Sequence, residues 1–184
     1  LAVERIWLGD VSANWADPLN WVPGGVPGPL DNVFVPNCDC WTPQIDGPTT
    51  IHNLVLAPGA YMNIVAVDLA VTGDVILGDG AVIGSSSGLV APVRAGMRRR
   101  TPPLRGPRTA SLKSGYGTLT LSGASSIISA GVGAFIDPDV FMQASVSMAS
   151  DAGFGGSVYV QSLTGVLSVG GFYVTVSSDF VTID

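Results

Sequence analysis

Residues 50–83, with the sequence TIHNLVLAPGAYMNIVAVDLAVTGDVILGDGAVI, decide the fold class of this chain. Their apolar side chains recur in short alternating bursts, a pattern typical of half-buried β-strands. Glycine, which adopts positive φ, and aspartate, which bonds to its own backbone, separate the bursts at Pro58-Gly59, Asp68, Gly73-Asp74 and Gly78-Asp79-Gly80. Strands this short cannot bury an apolar face alone, so we predict that many of them stack into one continuous core.

The composition of the 184 residues favours an all-β protein. Hydrophobic residues make up 47% of the chain and charged residues only 12%, about half the usual charged fraction. Glutamate and lysine, which favour helices, occur once each, as Glu4 and Lys113. The mean hydropathy of +0.45 indicates a hydrophobic interior or large apolar surfaces that other subunits cover. No stretch is long and apolar enough for a membrane-spanning helix, and we predict no transmembrane segment.

Low charge and scarce lysine are also typical of secreted proteins, and we predict an extracellular or cell-surface location. We treat residues 1–184 as a single all-β domain with four parts. They are a Trp- and Pro-rich head (1–36), β repeats (45–90), a basic, Pro-rich loop or arm (91–115), and β repeats with a terminal strand (116–184).

The head carries a series of short motifs: Trp7-x-Gly9, Asn14-Trp15, Asp17-Pro18, Asn20-Trp21, Val26-Pro27 and Asp31-Asn32-Val33. This series resembles the opening of many secreted bacterial β-solenoid surface proteins, including autotransporter-passenger-like proteins. Residues 53–75 are similar to the β-helix repeats that follow this opening in those proteins. The resemblance implies a right-handed parallel β-helix in a surface-exposed structural or adhesive protein.

The repeats and the head together decide the predicted fold. We predict an all-β chain that forms a β-solenoid, as a right-handed parallel β-helix. The alternative is a β-sandwich or jelly roll, because the strand spacing after residue 116 is irregular and no strict repeat length emerges.

Three of the four tryptophans, Trp7, Trp15 and Trp21, lie in the head and form a candidate cap or glycan-binding site. Bulky indoles can seal the open end of a strand stack, which otherwise exposes apolar core and unpaired backbone. The alternative is a sugar-binding platform, since exposed indole faces stack on sugar rings.

Cys38 and Cys40 point to the same face if they lie on a strand. Three states are open: both reduced and buried, a strained local disulfide, or disulfides to other chains that staple an oligomer outside the cell. With no second cysteine pair and His52 as the only histidine, we predict no metal site and no cofactor.

Residues 92–115 contain seven of the eight basic residues of the chain, together with four prolines. Proline density and like-charge repulsion prevent this segment from forming a core strand. Four interpretations are open: docking on the acidic body of a neighbouring subunit, binding to an external polyanion, a solvated loop without specific function, or a shifted reading frame. Nucleic acid is not the favoured partner, because no aromatic residues interleave the basic ones. The candidate assembly residues here are Arg94, Arg98, Arg99, Arg100, Arg105 and Arg108.

The last strand-like segment, residues 171–183, alternates for most of its length, and Phe172, Val174 and Val176 face one way. An apolar strand without a capping element is an association hazard in a monomer, whereas in a polymer it adds to the edge of the next subunit. We therefore include these three residues, with Cys38 and Cys40, among the candidate assembly residues.

These observations favour a structural subunit of an extracellular fibre, sheath or surface layer. We predict that it associates with copies of itself through β-strand edges and through a basic arm on an acidic body. The alternative is a carbohydrate-binding or adhesin module that uses the Trp-rich head, with a polysaccharide as partner. We predict no enzyme activity, because outside the arm the chain has one arginine, one histidine and no lysine to act with its carboxylates. A polysaccharide lyase or hydrolase, the remaining alternative, needs such groups to converge on a groove.

Overall fold

The computed structural model shows a β-solenoid, in which short strands stack coil upon coil into three sheets. It describes residues 1–86, 117–123, 125–143, 145–161, 167–168, 174–176 and 180–183. Seven of the predicted assembly residues lie outside these ranges: Arg94, Arg98, Arg99, Arg100, Arg105, Arg108 and Phe172. Within the described ranges, no helix is long and apolar enough to cross a membrane.

Most of the described chain is short strands. The first part contains β1 (Glu4–Trp7), β2 (Trp21–Val22), β3 (Asn32–Val35), β4 (Gln44–Ile45), β5 (Thr49–Ile51), β6 (Asn53–Leu56), β7 (Tyr61–Val65), β8 (Asp68–Val71), β9 (Val75–Leu77) and β10 (Val82–Ser86). The second part contains β11 (Thr118–Leu121), β12 (Ser125–Ala130), β13 (Phe135–Ile136), β14 (Asp139–Met142), β15 (Ser145–Met148), β16 (Ala152–Phe154), β17 (Val158–Gln161), β18 (Leu167–Ser168), β19 (Val174–Val176) and β20 (Phe180–Ile183). A 3₁₀ helix, Pro18–Asn20, precedes β2, and the Asp17 side chain caps it by accepting from the Leu19 N–H at 3.0 Å.

Each coil adds one strand to each of the three sheets. Sheet 1 has the order β2-β1-β3-β6-β9-β12-β15-β18, sheet 2 the order β4-β7-β10-β13-β16-β19, and sheet 3 the order β5-β8-β11-β14-β17-β20. Strands of successive coils pair in parallel, and β2 is antiparallel to β1. This stack confirms the predicted all-β solenoid and excludes the β-sandwich or jelly roll, whose sheets are antiparallel.

The core consists of columns of equivalent inward positions on successive coils. In sheet 1, Val33, Leu54, Val75 and Ile128 are register neighbours, and each is at most 1% exposed. Because side chains alternate across a strand, these positions stay apolar while the residues between them face outward. Each buried aliphatic side chain of this kind stabilises the fold by about 1.5–3 kcal/mol relative to an exposed one.

A long stretch of sequence separates two successive strands of sheets 2 and 3. β10 ends at Ser86 and β11 begins at Thr118, whereas only residues 66–67 separate β7 from β8 in the preceding coil. The Thr118 N–H donates to the Val67 carbonyl at 2.8 Å, so β11 continues the stack beside β8. The described strands on both sides of residues 87–116 therefore belong to one core.

Candidate functional site

One end of the solenoid is closed by Trp7, Trp15 and Trp21, which we call the Trp cap. Trp7 and Trp15 stack with their ring centroids 6.4 Å apart, and Trp21 meets both edge-on at 5.0 and 4.6 Å. The three side chains are only 1–2% exposed. Rings this deeply buried cover the apolar core and present no face to solvent, so their geometry is that of a cap, not of an exposed sugar platform.

Backbone contacts also occupy part of the strand edges at this end. In sheet 2, the Gln44 N–H donates to Ala13 O at 2.8 Å, and the Trp15 N–H donates to Gln44 O at 3.2 Å. Beside sheet 3, the His52 N–H donates to Asp31 O at 2.9 Å. Sheet 1 is extended by the antiparallel strand β2. The edge of β4 therefore has a backbone partner and β2 covers the edge of β1, while β2 and β5 are themselves the last strands of sheets 1 and 3 at this end.

Gly9 explains the Trp-x-Gly motif of the head. Its φ of +59° lies in the left-handed region, and a Cβ there would stand 2.5 Å from Trp7 Nε1 and 2.6 Å from Trp41 O. Trp7 Nε1 donates to that same Trp41 carbonyl at 2.7 Å. Glycine is therefore required where the backbone passes against this indole–carbonyl hydrogen bond.

An ion pair between Arg5 and Asp31 ties the Pro-rich loop of the head to β1. Arg5 Nε donates to Asp31 Oδ2 at 3.3 Å, and Arg5 Nη1 donates to Pro23 O at 2.6 Å. Asp31 also accepts from the backbone N–H groups of Val3 and Gly28 at 3.1 and 3.0 Å. Burial alone would raise the pKa of Asp31, but the hydrogen bonds from Gly28, Val3 and Arg5 outweigh it and lower the pKa below its ordinary value.

Asn20 is a fully buried polar residue whose side chain hydrogen-bonds residues 11–14, in the loop between Trp7 and Trp15. Its Oδ1 accepts from the N–H groups of Val11 and Ser12, both at 3.2 Å. Its Nδ2 donates to Ser12 Oγ at 3.1 Å and to Asn14 O at 2.9 Å. The sequence analysis did not predict this role, and the signal that could have revealed it is the repeated Asn-Trp dipeptide.

A groove of about 320 Å³ lies beside the Trp cap. Trp15, Val26, Pro27, Asp46 and Thr50 are among the residues that line it. This volume is at the lower end of the range for small-molecule pockets. In the part of the chain that the structure describes, no group of three or more His, Cys, Asp or Glu side chains is placed to hold a metal ion.

Cys38 and Cys40 are joined to each other by a disulfide, the local alternative among the three predicted states. They lie in the loop between β3 and β4, and Cys40, at 9% exposed, belongs to the core. In this bonded state neither sulfur is available to a second chain. The disulfide therefore closes a short loop within the chain, beside the cap.

At the opposite end, β18, β19 and β20 are the last strands of the three sheets, and we call them the open end. In the described residues each pairs on one side only, with β15, β16 and β17. Val174 and Val176 lie in β19, where their register partners Ala152 and Phe154 are buried. Because Val176 packs against the core, what β19 offers to a second chain is its backbone edge.

Comparison with known proteins assigns no family to this solenoid. The chain matches no protein-family model, no curated protein and no solved structure. A functional proposal therefore rests on the geometry and composition of the chain itself.

Proposed function

We propose that this protein is a structural subunit of an extracellular fibre, sheath or surface layer that associates with copies of itself. The difference between the two ends of the solenoid carries this proposal. At the Trp cap, backbone bonds from Ala13 and Trp15 occupy the edge of β4 and three buried indoles cover the core, whereas the strands of the open end pair on one side only in the described residues. Unpaired strand edges are where β-proteins add strands from another chain. In the proposed contact, the open end of one copy meets the open end of another.

Composition supports the extracellular location that the proposal includes. Only 12% of the residues are charged, and the one cysteine pair is oxidised, as is usual outside reducing compartments. The resemblance of the head to secreted bacterial β-solenoid surface proteins supports the same location. The proposed role involves no reaction on a substrate.

A second contact in the proposal is docking of the basic arm on the acidic body of a neighbouring copy. The chain has 14 carboxylates and a net charge of −6, and none of the carboxylates lies in residues 92–115. Arg5, the one arginine or lysine of the described residues, is already bound by Asp31. Attraction between arm and body weakens with salt, because the Debye length falls from about 10 Å at 0.1 M to about 3 Å at 1 M.

A matched pair of variants tests the edge contact. Val181 in β20 and Ala70 in β8 occupy the same outward column of sheet 3, but only β20 is an edge strand. Because charge on an edge strand opposes strand addition, Val181→Lys should abolish assembly measured by light scattering, and Ala70→Lys should leave it intact. Equal assembly of the two variants would contradict the edge contact.

The arm contact has its own test. Replacing Arg98, Arg99 and Arg100 together by serine should abolish assembly at low salt while the far-ultraviolet circular dichroism stays that of the wild type. The wild type at high salt is the control, because screening should reproduce the effect of the substitutions. Unchanged assembly of the triple variant at low salt would exclude the arm as a contact.

The carbohydrate-binding alternative makes a different prediction. Because the three cap indoles are buried, a sugar would have to enter the groove beside Trp15. Titration with a broad glycan panel would then change the tryptophan fluorescence. Indifference to the whole panel excludes this alternative and leaves the structural role.

A further inference from the structure

The outer face of sheet 1 carries an aligned row of apolar side chains. The register places five of them side by side on consecutive strands: Val22, Ile6, Phe34, Val55 and Ile76. The direct register partner of Ile76 on β12 is Ser129. Ile127 lies two residues before Ser129 and is therefore diagonal to Ile76. We call these six residues the apolar stripe. All are half-buried or exposed, and Val22, Ile76 and Ile127 are 45%, 42% and 44% exposed.

A polar column borders the stripe along the solenoid axis. Asn53 Nδ2 donates to Asn32 Oδ1 at 2.9 Å, and Asn53 Oδ1 accepts from the Asp74 N–H at 2.7 Å. Asp74 Oδ1 in turn accepts from the Ile127 N–H at 2.9 Å, and Glu4 is the register partner of Asn32. An apolar centre with a hydrogen-bonded polar rim is the usual anatomy of a protein–protein interface.

We infer that the apolar stripe is a contact between two copies of this chain, packed sheet 1 against sheet 1. The inference deepens the proposed function and rests on it for the identity of the partner. A peptide strand is a poor occupant, because the strands of the stripe are already paired within sheet 1. An anionic lipid or nucleic-acid surface presents charge across the whole contact and is opposed by Glu4 and Asp74, whereas the stripe of a second copy presents apolar side chains.

The size of the face fits a reversible dimer. Strands in a sheet lie about 4.8 Å apart, so the six strands of the stripe span about 24 Å and the eight strands of sheet 1 about 35 Å. With a width of about 15 Å, the face offers on the order of 500 Å² per copy, somewhat below the roughly 800 Å² per partner of a standard interface. The stripe supplies the apolar centre of this area, and we expect a dimer that depends on protein concentration.

The stripe is also complementary to itself. Phe34 is the third of the five register-aligned residues, with Val22 and Ile6 on one side and Val55 and Ile76 on the other, and Ile127 lies beyond Ile76. A two-fold axis that lies between two such faces and passes over Phe34 places the five aligned residues of one copy against those of the other in reverse order. The two Phe34 rings then meet at the centre. This is the self-complementarity that an isologous contact requires.

The face contact also gives the proposed assembly a way to extend. A contact between open ends joins two copies and is then satisfied. A second two-fold contact on a different surface joins each such pair to further pairs, and two different two-fold contacts that alternate build an open chain of subunits.

Sedimentation velocity over a range of concentrations tests the inference in the Val181→Lys background at high salt, where end and arm contacts are suppressed. We expect a monomer–dimer equilibrium there. Ile76→Lys and Phe34→Asp should each raise the dissociation constant at least about tenfold, which corresponds to about 1.4 kcal/mol. Val132→Lys, at a residue 86% exposed and outside the stripe, and Phe141→Asp, on sheet 3, are the matched controls and should dimerise like the background.

The outcomes separate this inference from the proposed function. A background protein that is monomeric at every concentration, or an Ile76→Lys variant that dimerises like Val132→Lys, overturns the face contact even if fibres form. If dimerisation depends on Ile76 but the protein never forms fibres, the face contact stands and the fibre proposal is excluded. Since Ile76 is 42% exposed, its variant tests the contact even if Phe34→Asp does not fold. If the background protein is monomeric and binds phosphatidylcholine vesicles through the stripe, the partner of the stripe is a lipid surface and not a second copy.

Discussion

Ser85 Oγ donates a hydrogen bond to the carbonyl oxygen of Gly117 at 3.3 Å, although 32 residues separate the two in sequence. The two ends of the inserted segment therefore meet at one corner of the solenoid. Ser86 is the register partner of Val65, and Thr118 is the partner of Asp68. By comparison with the preceding coil, a single residue is enough to join Ser86 to Gly117.

We predict that residues 87–116 can be replaced by one glycine without loss of the fold. The equivalent residue of the preceding coil, Ala66, has a φ of +51°, so glycine suits the joint. The replacement removes no described core residue and shortens the sequence between β10 and β11, so the melting temperature should stay within a few degrees of the wild type. Thermal unfolding followed by circular dichroism checks this. Loss of the β signal would show that the coil needs the inserted segment.

Gly9→Ala should destabilise the protein more than Gly80→Ala. Both glycines have positive φ, at +59° and +65°, so each substitution carries a backbone cost of about 1–2 kcal/mol. A Cβ at Gly80 has no neighbour within 4 Å, whereas at Gly9 it meets Trp7 and Trp41. We expect Gly9→Ala to lower the free energy of unfolding by about 2–4 kcal/mol in urea titrations. Equal losses in the two variants would argue against the tight contact at the Trp cap.

The contribution of Asp31 to stability should depend on pH. A carboxyl whose pKa is lowered by folding stabilises the fold above its unfolded-state pKa of about 3.9, and the effect is lost as the pH falls through the folded-state pKa. Asp31→Asn should therefore lower the free energy of unfolding by about 1–3 kcal/mol at neutral pH. The difference from the wild type should shrink below about pH 4.

Urea titrations of the wild type and of Asp31→Asn across the acid range measure this difference. Asp10→Asn, at an exposed carboxylate of the same head, is the control and should have little effect at any pH. A loss in Asp31→Asn that is the same at acid and neutral pH would exclude the ionised carboxylate as its cause.

Assembly should not depend on the oxidation of Cys38 and Cys40, because the structure bonds them to each other. Non-reducing gels should show a single-chain species, and iodoacetamide should add two groups to the mass only after reduction. Light scattering with and without dithiothreitol should show the same assembly. Disulfide-linked dimers, or loss of assembly on reduction, would show that these cysteines form disulfides between chains.

The fold was predictable because each coil of a solenoid repeats the same inward apolar positions along the sequence. Asn32, Asn53 and Asp74 follow one another at steps of 21 residues, and apolar residues follow each of them at inward positions. The next step, from Asp74 to Ile127, is 53 residues, since the inserted segment lies inside one coil. Because of this interruption no constant repeat length was apparent in the sequence, and a β-sandwich therefore remained among the predictions.

The candidate site was predictable only in part. The sequence identified Trp7, Trp15 and Trp21, but a bulky indole suits both a cap and a sugar platform, and only burial distinguishes the two. The pair of Arg5 and Asp31 spans 26 residues and depends on how the head folds back, which no local pattern encodes. The apolar stripe was hidden for a related reason, because its members become neighbours only through the register of successive coils.

Negative-stain electron microscopy of the unmodified protein at neutral pH and low salt tests the central claim most directly. The claim is that this solenoid is a building block that joins other copies of itself. It predicts regular fibres or sheets, with Val181→Lys giving dispersed particles under the same conditions. Dispersed compact particles from the wild type at every concentration would contradict it.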